Sequence, residues 1–128
     1  DIGAKNDVHP TNKKVVGERL AHWALNKTYH KKTLPSGPLP LKARYENGKV
    51  TLTFNYQGNR LLTADGTIVS GFSTDGHTDC NAFIENDKVI ILAEARPAYV
   101  YYGWKPFTDA NLINSAGLPA STFKIKVE

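Results

Sequence analysis

Hydrophobic and polar positions change their period once along this chain. In residues 11–29, Val16, Leu20 and Ala24 recur every four residues, Ala21, Leu25 and Thr28 follow at spacings of four and three, and Trp23 widens the stripe. Lys13, Lys14, Glu18, Arg19 and Lys27 fall mostly on the other side, which predicts an amphipathic helix. Thr11, just after Pro10, is the expected N-cap, and His30-Lys31-Lys32 suits the negative end of the helix dipole. The Val16/Leu20/Ala24 stripe is expected to pack, or to stand partly bare where a covering domain is missing. From Leu41 onward the period is two. Leu41, Ala43 and Tyr45 alternate with polar residues, then Val50, Leu52, Phe54 and Tyr56, and finally Phe123, Ile125 and Val127. Ile68 and Phe72, Phe83-Ile84, Val89 to Leu92 and Tyr99 to Tyr102 supply further short apolar runs. Asn47-Gly48, Asp65-Gly66 and Asn86-Asp87 mark turns between them, Asn47-Gly48 being the strongest hairpin signal. Phe54, Ile91 and Phe123 are expected in the core.

This pattern predicts a mainly β protein, an antiparallel β-sandwich preceded by one amphipathic helix. Residues 33–40 carry three prolines and a glycine and read as a stiff linker between residues 1–32 and the β-region 41–128. Residues 1–10 read as a loop, with Gly3, Asn6, Asp7 and Pro10 favouring turns and Pro10 holding His9 extended.

The charge follows the same division. The net charge is +4; residues 1–32 hold seven Lys/Arg against three Asp/Glu, and residues 33–128 hold nine of each. The excess lies on the helix as a solvated face, without the interleaved aromatics of a nucleic-acid surface, so no nucleic-acid partner is expected. No apolar run reaches membrane-spanning length. The single cysteine, Cys80, excludes an internal disulfide and reads as a small packed side chain. The chain contains no Met, which points to Asp1 as an interior residue of a longer polypeptide.

Chemistry concentrates in Asn6-Asp7-Val8-His9-Pro10. A serine hydrolase needs a His to take the serine proton and a carboxylate to fix its tautomer, and one loop can carry both. The competing reading is a turn Asp and a surface His. Elsewhere, His22 reads as a rim residue of the helix. Asp75, His77, Asp79 and Cys80 read as a polar loop, lacking a second His at metal spacing. Tyr99, Tyr101, Tyr102 and Trp104 fit either the sandwich core or a sugar-stacking platform. Arg96 is a lone cation beside Pro97.

Asp1-Ile2-Gly3, Asn6 to Lys13 and Val16 to Ala21 together resemble the last block of the sialate O-acetylesterases, which are SGNH-type hydrolases. Tyr102-Gly103-Trp104, Asn111-Leu112, Asn114, Gly117-Leu118-Pro119-Ala120 and Phe123 resemble that family's closing signature. The resemblance implies that the helix is the last one of an α/β SGNH-type catalytic domain, followed by a β-sandwich. It implies hydrolysis of acetyl esters on sialic acid hydroxyls, no metal or other cofactor, and a secreted, periplasmic or lysosomal location. His9 then matches the general base. The serine nucleophile would stand upstream in a Gly-x-Ser motif, so the rest of the catalytic domain is an expected partner; Ser36, Ser70, Ser73, Ser115 and Ser121 do not match it. The family places its Asp three residues before the His, where this chain has Asn6. Asp7 is the first choice for the orienting carboxylate, Asp1 the fallback, and a Ser-His dyad the third arrangement. The alternative function is a non-catalytic carbohydrate-binding or structural sandwich.

Overall fold

The computed structural model describes residues 2–7, 9 and 11–128. Asp1, Val8 and Pro10 lie outside them, and with them the fallback role of Asp1 and the effect of Pro10 on His9. Among the described residues one helix, α1 (Lys13–Lys27), is followed by nine strands: β1 (Leu39–Glu46), β2 (Lys49–Asn55), β3 (Leu61–Thr63), β4 (Phe72–Ser73), β5 (Ala82–Glu85), β6 (Lys88–Leu92), β7 (Tyr99–Tyr102), β8 (Leu112–Asn114) and β9 (Phe123–Lys126). The strands form a four-stranded sheet in the order β1-β2-β6-β5, a pair β3-β8, and a three-stranded sheet β4-β7-β9. Each pairing between these strands is antiparallel, with an isolated parallel bridge between Ala43 and Val127, so the described residues are mainly β with a single helix.

Two turns close their hairpins by local chemistry. Asn47 and Gly48 have φ of 51° and 77°, and Asn86 and Asp87 have 50° and 57°. Positive φ at both central residues matches the right-handed twist of the flanking strands, and Asn, Asp and Gly tolerate it. Alternation then sorts the side chains. Val50 and Leu52 on β2 and Val89 and Ile91 on β6 are fully buried, and Phe54 nearly so. The facing sheet contributes Phe72, Val100, Tyr102 and Phe123 to the same core. Phe54 and Phe123 meet edge to face between the sheets at 6.1 Å, and Tyr102 stacks on Phe123 at 5.3 Å. Each such side chain contributes about 1.5–3 kcal/mol by leaving water. The chain end closes the assembly: Tyr45 donates its N–H to the carbonyl of Glu128 at 2.9 Å, and Glu128 donates to Ala43 at 3.0 Å.

Several positions depart from the sequence pattern. Leu41 is 59% exposed, because a bulge between Pro40 and Lys42 shifts the register and throws it outward. Ile68 lies beyond the strand β3, in the loop after the turn at Asp65-Gly66, and is 82% exposed. Tyr56 leaves β2 with φ of 58°. The helix is shorter than residues 11–29 and is capped by Asn12, not Thr11; the Asn12 carboxamide oxygen accepts the Val15 N–H at 3.2 Å.

The helix also presents a different face. Val15, Val16, Arg19, His22 and Asn26 are half-buried, whereas Ala21, Ala24 and Leu25 are exposed and Leu20 is 67% exposed. Polar anchors decide this orientation. The Asn26 amide donates to the carbonyl of Thr33 at 2.7 Å, and His22 Nδ1 lies 3.1 Å from the carbonyl of Leu34. Lys27 donates to the Tyr56 hydroxyl at 2.9 Å, and Trp23 sets its edge against Tyr56 at 6.0 Å. Of Val16, Leu20 and Ala24, only Val16 is half-buried, so the stripe stands partly bare.

Residues 33–40 pack as a strap. Pro35, Gly37 and Pro38 are buried. A Cβ at Gly37 would lie 2.0 Å from the carbonyl oxygen of Pro119, so only glycine permits this backbone approach.

Candidate active-site loop and its setting

The loop ahead of α1 begins with a turn in which the Asp7 N–H donates to the carbonyl of Ala4 at 3.2 Å. The Asp7 carboxylate then bends back over the chain: Oδ1 accepts the His9 N–H at 2.9 Å. Asp and Asn commonly accept from a backbone N–H two residues on. The same oxygen stands 3.7 Å from His9 Nδ1, with the imidazole 84% and the carboxylate 53% exposed. That is an ion-pair distance, longer than a hydrogen bond. The structure therefore brings Asp7 and His9 together through the backbone N–H and leaves the ring open to a partner. Asn6 is exposed.

Four of the serines are engaged in hydrogen bonds of the β-region and the strap. Ser36 donates to the carbonyl of Gly37 at 2.8 Å, Ser70 to that of Asp109 at 2.6 Å and Ser73 to the Asp75 carboxylate at 2.8 Å. Ser115 accepts the Asn59 N–H at 3.0 Å.

The segment from Asp75 to Cys80 is a hydrogen-bonded loop. Asp75 Oδ1 accepts the N–H groups of Thr78 at 2.8 Å and His77 at 2.7 Å, besides the Ser73 hydroxyl. These bonds hold its carboxyl well below the usual range. Asp79 pairs with Lys105 at 2.5 Å. Burial, with Asp79 and Asp75 nearby, pushes the Cys80 thiol up to about 11, so at neutral pH it is a thiol and a poor nucleophile.

Between α1 and the β-region lies an open cavity of about 490 Å³, walled by Val16, Leu20 and Trp23 from the helix, Pro35 from the strap, and Tyr102, Leu118 and Pro119 from the β-region. Its walls come from three distant stretches, and no local pattern announces it. The closing-signature residues build this region. The buried Tyr102 hydroxyl accepts the Leu112 N–H at 2.8 Å. The Asn111 amide reaches the Asp65 carboxylate at 3.0 Å and the carbonyl of Ile68 at 2.9 Å. Asn114 joins the strap to the turn at Gly117.

A solved structure shares this fold. The chain is similar to part of a carbohydrate acetylesterase. That enzyme, from Xanthomonas citri and described as a novel carbohydrate acetylesterase, is 40% identical, with a TM-score of 0.85. The match covers 98% of this chain and 31% of that one, so it takes in the helix as well as the β-region. The chain thus spans about a third of the acetylesterase's length. No protein-family model matches the chain, and neither does any curated protein.

Proposed function

We propose that this chain forms part of a carbohydrate esterase that removes O-acetyl groups from sialic acids. His9 serves as general base, and the serine stands on another part of the polypeptide. The observation that carries the reading is the Asp7–His9 pair: a carboxylate oxygen 3.7 Å from Nδ1 of an imidazole that is 84% exposed. The 40% identity to a carbohydrate acetylesterase supports the reaction class, and the resemblance of residues 1–21 and 102–123 to sialate O-acetylesterases supports the substrate.

In this reading His9 takes the serine proton through Nε2 as the serine oxygen bonds to the acetyl carbonyl carbon. The tetrahedral intermediate collapses, the bond to the sugar oxygen breaks, and imidazolium returns the proton to that oxygen. Water, deprotonated by the same His, then splits the acetyl-serine and releases acetate. Asp7 steadies the imidazolium and holds Nδ1 protonated, as a triad carboxylate does. A small rotation of either side chain turns the ion pair into the required hydrogen bond. The resemblance to sialate O-acetylesterases supports a secreted, periplasmic or lysosomal setting.

The test is acetate release by the full-length protein from O-acetylated sialic acid and from an acetylated neutral xylo-oligosaccharide. A higher kcat/KM on the sialic acid is expected. Preference for the neutral sugar would retain the esterase and remove the sialate assignment.

A further inference from the structure

We propose that the outer face of the β4-β7-β9 sheet binds an acidic sugar chain. The proposal stands on the geometry of that face and is independent of the esterase reading. Strand β7 alternates strictly: Val100 and Tyr102 enter the core, while Tyr99 and Tyr101 face outward, half-buried. Their rings lie 6.3 Å apart, and the Tyr101 ring lies 5.5 Å from that of Trp104. Trp104 is 50% exposed. The three rings form one continuous aromatic strip on the surface.

Neighbouring elements pack against the strip. Gly76, at φ of 83°, lets its loop come close enough that a Cβ there would sit 3.5 Å from the Tyr101 ring. Across the strand pairing, Tyr101 is opposite Lys124 and Tyr99 opposite Lys126. The Lys124 ammonium lies 4.1 Å from the Tyr99 ring centroid and 5.3 Å from that of Tyr101. That cation–π contact sets the charge over one face of the tyrosine rings and leaves N–H groups of the ammonium as donors.

An ordered aromatic strip suits the C–H faces of pyranose rings, which stack on aromatics while their hydroxyls stay in water. The charges select the sugar. The acids beside the strip are already engaged, Asp79 with Lys105 and Asp75 with its own loop. Lys124 and Lys126 flank the rings as exposed cations, a pairing that favours a carboxylate-bearing sugar. The ligand class is therefore an oligosaccharide with uronic or nonulosonic acid carboxylates.

The experiment is an NMR titration of the full chain with trigalacturonic acid and, separately, with neutral maltotriose. The acidic trisaccharide should shift the Trp104 indole N–H and the backbone amides of residues 124–126, and should bind about tenfold tighter than the neutral one. Trp104→Ala should weaken binding about tenfold with the remaining amide spectrum unchanged. Lys126→Glu should weaken the acidic sugar and spare the neutral one. Three results overturn the proposal: no shift with either sugar, shifts confined to other surfaces, or equal affinity for the two sugars.

Discussion

The fully buried carboxamide of Asn114 donates to the carbonyl of Ser36 at 2.9 Å and to that of Tyr56 at 2.8 Å. Its oxygen accepts from Ala116 and Leu118, each at 3.0 Å. One side chain thus fastens the strap, the end of β2 and the turn at Gly117. Because α1 hangs from Thr33 and Leu34 in that strap, Asn114 also sets where the helix, and the His9 loop ahead of it, stand against the β-region.

Asn114→Ala leaves buried carbonyl and N–H groups without partners. The expected loss is on the order of 3 kcal/mol, read as a lower midpoint in urea. Unchanged stability would show that the strap is held without this side chain.

Gly37→Ala drives a methyl group into the backbone of Pro119. Overpacking of this kind costs about 1–3 kcal/mol, and more where backbone must move. Calorimetry should show a lower Tm, with the strap separating from Pro119. A neutral result would mean that this approach is looser than described.

Tyr102 gives the fold an alkaline limit. Burial pushes its phenol up to about 12, helped by Asp109 and opposed by the Leu112 N–H that its oxygen accepts. In the unfolded chain a tyrosine titrates near 10. Between these values the folded state keeps a proton that the unfolded state has lost. Its contribution is complete below about pH 10 and falls as pH rises toward 12, by roughly 2–3 kcal/mol. Urea midpoints at about pH 9 and about pH 11.5 measure the loss. Tyr102→Phe should flatten this slope while lowering stability at neutral pH, since the Leu112 N–H loses its acceptor. An equal slope in both proteins would assign the alkaline loss elsewhere.

What was legible in the sequence was local. Asn47-Gly48 and Asn86-Asp87 carry their turn geometry in their own side chains, and the alternation that buries Phe54, Ile91 and Phe123 is a property of the strand period. Leu41 was misplaced because a bulge after Pro40 breaks that period without changing composition. The stripe stands partly bare, one of its two expected states, but the groups that orient the helix were not legible, because the carbonyls of Thr33 and Leu34 and the Tyr56 hydroxyl lie outside it and a hydrophobic stripe reports only apolar demand. The anchoring by Asn114 and the close approach at Gly37 are not legible in the sequence, since their partners are 78 and 82 residues away in the chain. His9 and Asp7 were readable as residue types; their 3.7 Å spacing depends on a turn that the sequence only suggests.

The measurement closest to the central claim is acetate release by the full-length protein carrying His9→Ala, compared with wild type and with Asp7→Asn. His9 is exposed and contributes little to packing, so folding and Tm should be unchanged. Loss of the general base should slow turnover by about 10²–10⁴-fold. Asp7→Asn should follow it closely if Asp7 fixes the tautomer and mildly if the site works as a Ser-His dyad. Wild-type turnover in His9→Ala would make His9 an ordinary surface histidine and contradict the catalytic role of this loop.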